Sequence, residues 1–144
     1  MKVVVDTNII FSAILNSDST IGQILLYAGK SLEFYSSNYL QTEIENHIDK
    51  LKKLTNLESQ TLAELIELLY SKINFISEEL IPKETLIIAE KLTHKVDFDD
   101  VLFVALSIHL NSSLWTGDKV LVKELTKKGF NQFVSTNDLL NQLR

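Results

Sequence analysis

The chain has 144 residues, 45% of them hydrophobic and 23% charged, which fits one globular domain with a single sizeable core. Nineteen acidic against 14 basic residues give a formal net charge of −5, which counts against a general nucleic-acid coat driven by lysine and arginine. There is no cysteine, so disulfide frameworks and thiolate metal sites are excluded and a reducing compartment is expected.

The chain opens on Val3-Val4-Val5, three consecutive β-branched residues followed at once by Asp6-Thr7-Asn8. An unbroken apolar run that stops at a polar loop predicts a buried central strand of a parallel sheet, about Lys2 to Val5. The apolar run from Met1 to Leu15 superficially resembles a secretion signal, but Asp6 and Asn8 interrupt it and no small-residue cleavage site follows. No stretch reaches the ~20 apolar residues of a membrane span, so a cytoplasmic protein with no membrane partner is expected.

A helix is predicted from near Asn8, with Ile9, Ile10, Ala13 and Ile14 on one side. A second follows Ser17-Asp18-Ser19 and stops at Gly29. Leu32 to Ser36 is the second strand. Ser37 and Asn38 then cap one long helix whose apolar stripe is Leu40, Ile44, Ile48, Leu51 and Leu54. Thr55-Asn56-Leu57-Glu58 has the form of a capping box, so a new helix is expected to start there and pair with the previous one as an antiparallel hairpin. Ile73 to Ile76 is the third strand. Pro82 suits the first turn of the next helix. Asp97-Phe98-Asp99-Asp100 opens a further helix that is apolar almost all round. Ser113 to Thr116 is the fourth strand, Phe133-Val134 the fifth, and helices follow each. Strands alternating with helices predict a single α/β domain over residues 1–144, with a parallel sheet and right-handed crossovers.

Several acidic residues fall at strand ends or helix starts. Asp6 ends the first strand, Asp118 follows the fourth in Thr116-Gly117-Asp118, and three carboxylates crowd positions 97–100. Helix capping explains any one of these alone. Three in four residues exceed what a cap needs, and in a doubly wound sheet all of these ends share one edge. Glu43 sits one position off the stripe of its helix. Clustered carboxylates with oxygen donors suit a hard cation such as Mg²⁺ or Mn²⁺. Zinc is not expected, because His47, His94 and His109 are scattered through the sequence. No glycine-rich nucleotide cradle or serine-hydrolase elbow is present. A phosphatase of the haloacid-dehalogenase type would need an acid where Asn8 stands. A receiver domain would need a phosphoacceptor where Asn74 and Phe75 stand.

These residues together resemble the PIN-domain family, in particular its VapC-like bacterial and archaeal ribonucleases. The resemblance rests on Asp6-Thr7-Asn8, Glu43, Asp100 and Thr116-Gly117-Asp118, in that order and at the family's spacing, and covers the whole chain. It implies a three-layer α/β/α sandwich with a five-stranded parallel sheet of order 3-2-1-4-5. It also implies Mg²⁺- or Mn²⁺-dependent hydrolysis of RNA, with Asp6, Glu43, Asp100 and Asp118 as catalytic metal ligands. Asp97 and Asp99 are alternatives for the third position, and Asn8 and Thr116 support the ligands from behind. Further implications are a homodimer and a role as the toxin of a toxin–antitoxin pair. Lys50, Lys52, Lys53, Lys119 and Lys123 are candidate phosphate contacts. The competing readings are a catalytically silent RNA-binding or scaffold protein of the same fold, and a metal-dependent phosphatase or receiver-like domain.

Overall fold

The computed structural model describes residues 1–94 and 98–144. The sheet has five parallel strands in the order β3-β2-β1-β4-β5. They are β1 (Lys2–Val5), β2 (Glu33–Ser37), β3 (Ile73–Ile76), β4 (Ser113–Trp115) and β5 (Phe133–Val134). β1 is central, with Val3 in register with Phe34 on one side and Ser113 on the other. Val3, Val4 and Val5 are 0% exposed, and each contributes about 1.5–3 kcal/mol of apolar burial.

α7 (Phe98–His109) lies directly on β1, β2 and β4, with α6 (Lys83–Thr93) against it and α8 (Lys119–Lys127) against α6. On the other face α1 (Thr7–Leu15) is the hub. α2 (Thr20–Tyr27), α3 (Tyr39–Asn46), α4 (Ile48–Thr55) and α5 (Ser59–Tyr70) all pack on it, and α9 (Thr136–Gln142) packs on α2. Among the described residues no single helix is long and apolar enough to cross a membrane.

Two expectations about the helices are corrected. The long helix after Asn38 is two helices, broken at His47. The His47 ring nitrogen Nδ1 lies 2.8 Å from the Glu43 carbonyl, the acceptor its own backbone N–H would take in a continuous helix. The backbone N–H turns instead to the Ile44 carbonyl at 3.1 Å. A side chain has displaced the ladder locally. Thr55 does not open a capping box either. It is the last residue of α4, Asn56 takes the left-handed conformation with φ 58°, and Glu58 is the N-cap of α5. An asparagine in that conformation closes a helix, so the turn chemistry ends one helix before the next begins.

Trp115 ends β4 fully buried. Its ring stacks on Phe34 at 6.0 Å and its indole N–H donates to Thr136 Oγ1 at 3.0 Å. It fixes the strand end from which Thr116 and Asp118 leave. Thr136→Val orphans a buried donor and should cost about 1–3 kcal/mol, while Thr136→Ser keeps the partner and most of the stability. Urea midpoints test this; equal midpoints for Val and Ser variants would show the bond is idle.

Candidate functional site

The carboxyl end of β1 delivers Asp6, 6% exposed, into the start of α1. Asp6 occupies the N-cap position without a well-aligned side-chain capping bond, so capping alone does not account for it. Its Oδ2 instead accepts from Thr116 Oγ1 at 2.6 Å and from Asn8 Nδ2 at 3.2 Å. Asn8 Nδ2 also reaches Thr116 Oγ1 at 3.2 Å, and its Oδ1 accepts the Gly117 N–H at 2.9 Å. The Asp-Thr-Asn motif and the Thr-Gly-Asp motif, far apart in sequence, are thus tied together across neighbouring strands. Burial pushes the Asp6 carboxyl above its usual range. The Thr116 hydroxyl and the backbone N–H groups of Thr7 and Asn8 oppose that shift, and the charge of Asp118 adds to it.

Glu43 comes from α3 on one face of the sheet and Asp99 from α7 on the other. The two carboxyl groups face each other within hydrogen-bonding reach. The Glu43 carboxyl is pushed up to about 8, first by burial and next by the bond to Asp99, and the charges of Asp99 and Asp6 push the same way. The Thr7 hydroxyl donates to Glu43 Oε1 and opposes the shift.

Asp6, Thr7, Asn8, Glu43, His47, Asp99 and Asp100 line one cleft of about 430 Å³, with Phe11, Ser12 and Leu15 completing its wall. Asp118 is not among the lining residues. It caps α8, with Oδ1 accepting from Val120 and Leu121 N–H at 3.1 Å each. It adjoins the cleft through Thr116, whose Oγ1 accepts the Asp118 N–H at 3.1 Å. Asp97, expected to cap α7, lies outside the described residues. Among the described residues no three acidic or histidine side chains converge tightly enough to hold an ion as they stand. The donor chemistry nevertheless fits a hard cation: the cleft carries four carboxylates and no sulfur. Two carboxylates ~6 Å apart repel by roughly 3 kcal/mol at an effective dielectric of ~20, so like charge itself works against closer approach.

Lys119 and Lys123 line a neighbouring groove of about 620 Å³ with Thr116, Gly117 and Phe133. Lys50, Lys52 and Lys53 are exposed on α4. A larger cavity of about 850 Å³ is lined by Leu86, Ile87, Glu90 and His94, on α6 and just beyond it, together with Val101 of α7. The smaller cleft is the better site, because carboxylates from three elements meet there and those of Asp6 and Glu43 are perturbed. Two cleft residues were not read from the sequence: Thr7, which grips Glu43, and His47. The signal for His47 was present, since a residue four positions after Glu43 shares its helix face.

The shifted carboxyl makes stability pH-dependent. The folded protein holds the Glu43 proton up to about 8, against 4.5 for the free group. The stabilising contribution is therefore complete below about 4.5 and is lost as pH rises through about 8. Half-exposure of the side chain limits its size. Chemical denaturation across that window should show Glu43→Gln losing less stability with rising pH than the parent; parallel curves would contradict the coupling.

A family model described as "PIN domain" matches residues 4–135. No curated protein matches the sequence at a significant level. The fold is similar to that of the VapBC2 complex of Rickettsia felis, solved bound to a DNA fragment from its promoter, at TM-score 0.66 and 18% identity, over 94% of this chain and 97% of that one. It is similar to PAE2754 from Pyrobaculum aerophilum at TM-score 0.70 and 15% identity, over 99% and 89%. It is also similar to VapBC-1 from nontypeable Haemophilus influenzae at TM-score 0.63 and 18% identity, over 95% and 99%.

Proposed function

The chain belongs to the PIN domain family, and from that premise we propose that it is a metal-dependent ribonuclease, the toxin of a toxin–antitoxin pair. The observation that carries the reading is the meeting of Asp6, Glu43, Asp99 and Asp100, from three elements of the fold, in one cleft. Carboxylates gathered at such electrostatic cost serve a cation better than they serve the fold. Asp6, Glu43 and Asp100 would hold Mg²⁺ or Mn²⁺, with Asp99 sharing the third position and Asp118 approaching from β4.

Hydrolysis adds water across the phosphodiester. A new P–O bond forms from the water oxygen, the bond to the leaving sugar oxygen breaks, and a proton passes from the water to the leaving oxygen. A bound divalent ion supplies Lewis acidity and charge neutralisation at the phosphate. The protein's own groups do the positioning. Thr116 and Asn8 fix Asp6 Oδ2, and Thr7 fixes Glu43 Oε1. The Thr116–Gly117–Asn8 bonds keep the two motifs in register. Lys119 and Lys123, in the adjoining groove, are placed to meet flanking phosphates.

A catalytically silent scaffold would have no use for these groups, and this separates it from the proposal. The two VapBC relatives support an antitoxin as partner, and a small antitoxin gene beside this one would favour that role. A homodimer is the second partner. Leu54 and Leu68, on α4 and α5, remain 58% and 47% exposed, and a second copy would cover them. A strictly monomeric mass by light scattering at high concentration would remove the dimer.

Single-stranded RNA should be cleaved with Mn²⁺ or Mg²⁺ and spared in EDTA, with a small phosphomonoester spared throughout. Asp6→Asn and Asp118→Asn should each lower the rate by more than about a hundredfold, beyond the 10- to 100-fold typical of groups behind the ligands. Full activity in either variant would end the mechanism. Absence of cleavage by the parent in both metals would favour the silent scaffold.

A further inference from the structure

The apolar end of the cleft has no part in holding an ion. Thr7, Phe11 and Leu15 are four apart on α1 and share a face, as Glu43 and His47 do on α3 and its end. Each pair of faces therefore carries polar groups at one end of the cleft and rings or apolar groups at the other. Phe11 and His47 meet edge to face, centroids 5.6 Å apart and planes at 80°. His47 is exposed, and Leu15 beside them is 46% exposed. Because a carbonyl oxygen only accepts, the 2.8 Å contact to the Glu43 carbonyl puts the proton on Nδ1 and fixes the ring. A helix has been broken to hold an exposed aromatic ring still, beside the carboxylates.

We propose that His47, backed by Phe11, is the platform on which a nucleobase of the substrate strand stacks, next to the phosphate that is cut. This rests on the ribonuclease reading for what the cleft binds. An unpaired base offers an aromatic face whatever its identity, and stacking on a side-chain ring is a principal way single-stranded nucleic acid is held. Stacking is also largely indifferent to charge. That suits a chain of net charge −5, whose acidic cleft repels the strand's phosphates. A ring already pinned in place loses little freedom on binding.

The test uses the full chain and two fluorescein-labelled 12-mers: a mixed-sequence single-stranded RNA and its ribo-abasic counterpart, which keeps the backbone and lacks every base. Binding is followed by anisotropy with Ca²⁺, and cleavage with Mn²⁺. The parent should prefer the base-bearing strand. His47→Ala should shrink that preference by about 5- to 150-fold, the range one stacked base supplies. It should bind the abasic strand as the parent does. His47→Phe, which keeps a ring and lacks the Nδ1 bond, should restore the preference. Equal loss on both strands would mean that His47 only positions Glu43, and would overturn the platform, as would an unchanged preference in His47→Ala. Cleavage that persists without a His47-dependent base preference overturns this inference and keeps the ribonuclease. A His47-dependent preference without cleavage in either metal does the reverse.

Discussion

The site depends on one contact between layers: the approach of Glu43, carried on one face of the sheet, to Asp99, carried on the other. Both side chains pass the carboxyl edge of β1, where Asp6 already sits buried. Left to themselves three acids at that edge would repel one another. The protein answers with donors. Thr7 meets Glu43, while Thr116 and Asn8 meet Asp6. Each neutral hydroxyl or amide stabilises the charged form of its acid, and burial and neighbouring charge destabilise it. For Glu43 the second group wins, holding the carboxyl at about 8.

The fold supplies the geometry. A parallel sheet brings every strand's carboxyl end to one edge, so Asp6 after β1 and Asp118 after β4 become neighbours although 110 residues separate Thr116 from Asp6. The Asp6 N–H bonds the Trp115 carbonyl at 3.1 Å, and Trp115 is locked below by Phe34 and Thr136. Ser36 Oγ adds a bond to the Val5 carbonyl at 2.8 Å from the other side. The ends of β1 and β4 are thus anchored from both sides, as a preorganised site requires.

Much of this was legible in the sequence. Three valines running into Asp-Thr-Asn specify a central parallel strand and its working end, and the sheet order follows the resemblance those motifs carry. Periodicity failed where side chains compete with the backbone. The stripe through Leu40, Ile44, Ile48 and Leu51 continues across His47 without a break, but the imidazole takes the carbonyl that a continuous helix needs. Thr55 to Glu58 satisfies a capping box on paper, and Asn56 uses the same residues to end a helix. Spacing alone does not tell which of Asp99 and Asp100 faces Glu43, since the two are one residue and about 100° of helix apart. In the folded protein Asp99 approaches Glu43 and Asp100 lines the same cleft.

The most direct measurement is an anomalous difference map from crystals grown with Mn²⁺. One strong peak is expected in the cleft, with carboxylate oxygens of Asp6, Glu43 and Asp99 or Asp100 at bonding distance and Thr7, Asn8 and Thr116 outside it. Manganese bound elsewhere, or a cleft left without a peak at millimolar metal, would contradict the reading of these carboxylates as an ion site.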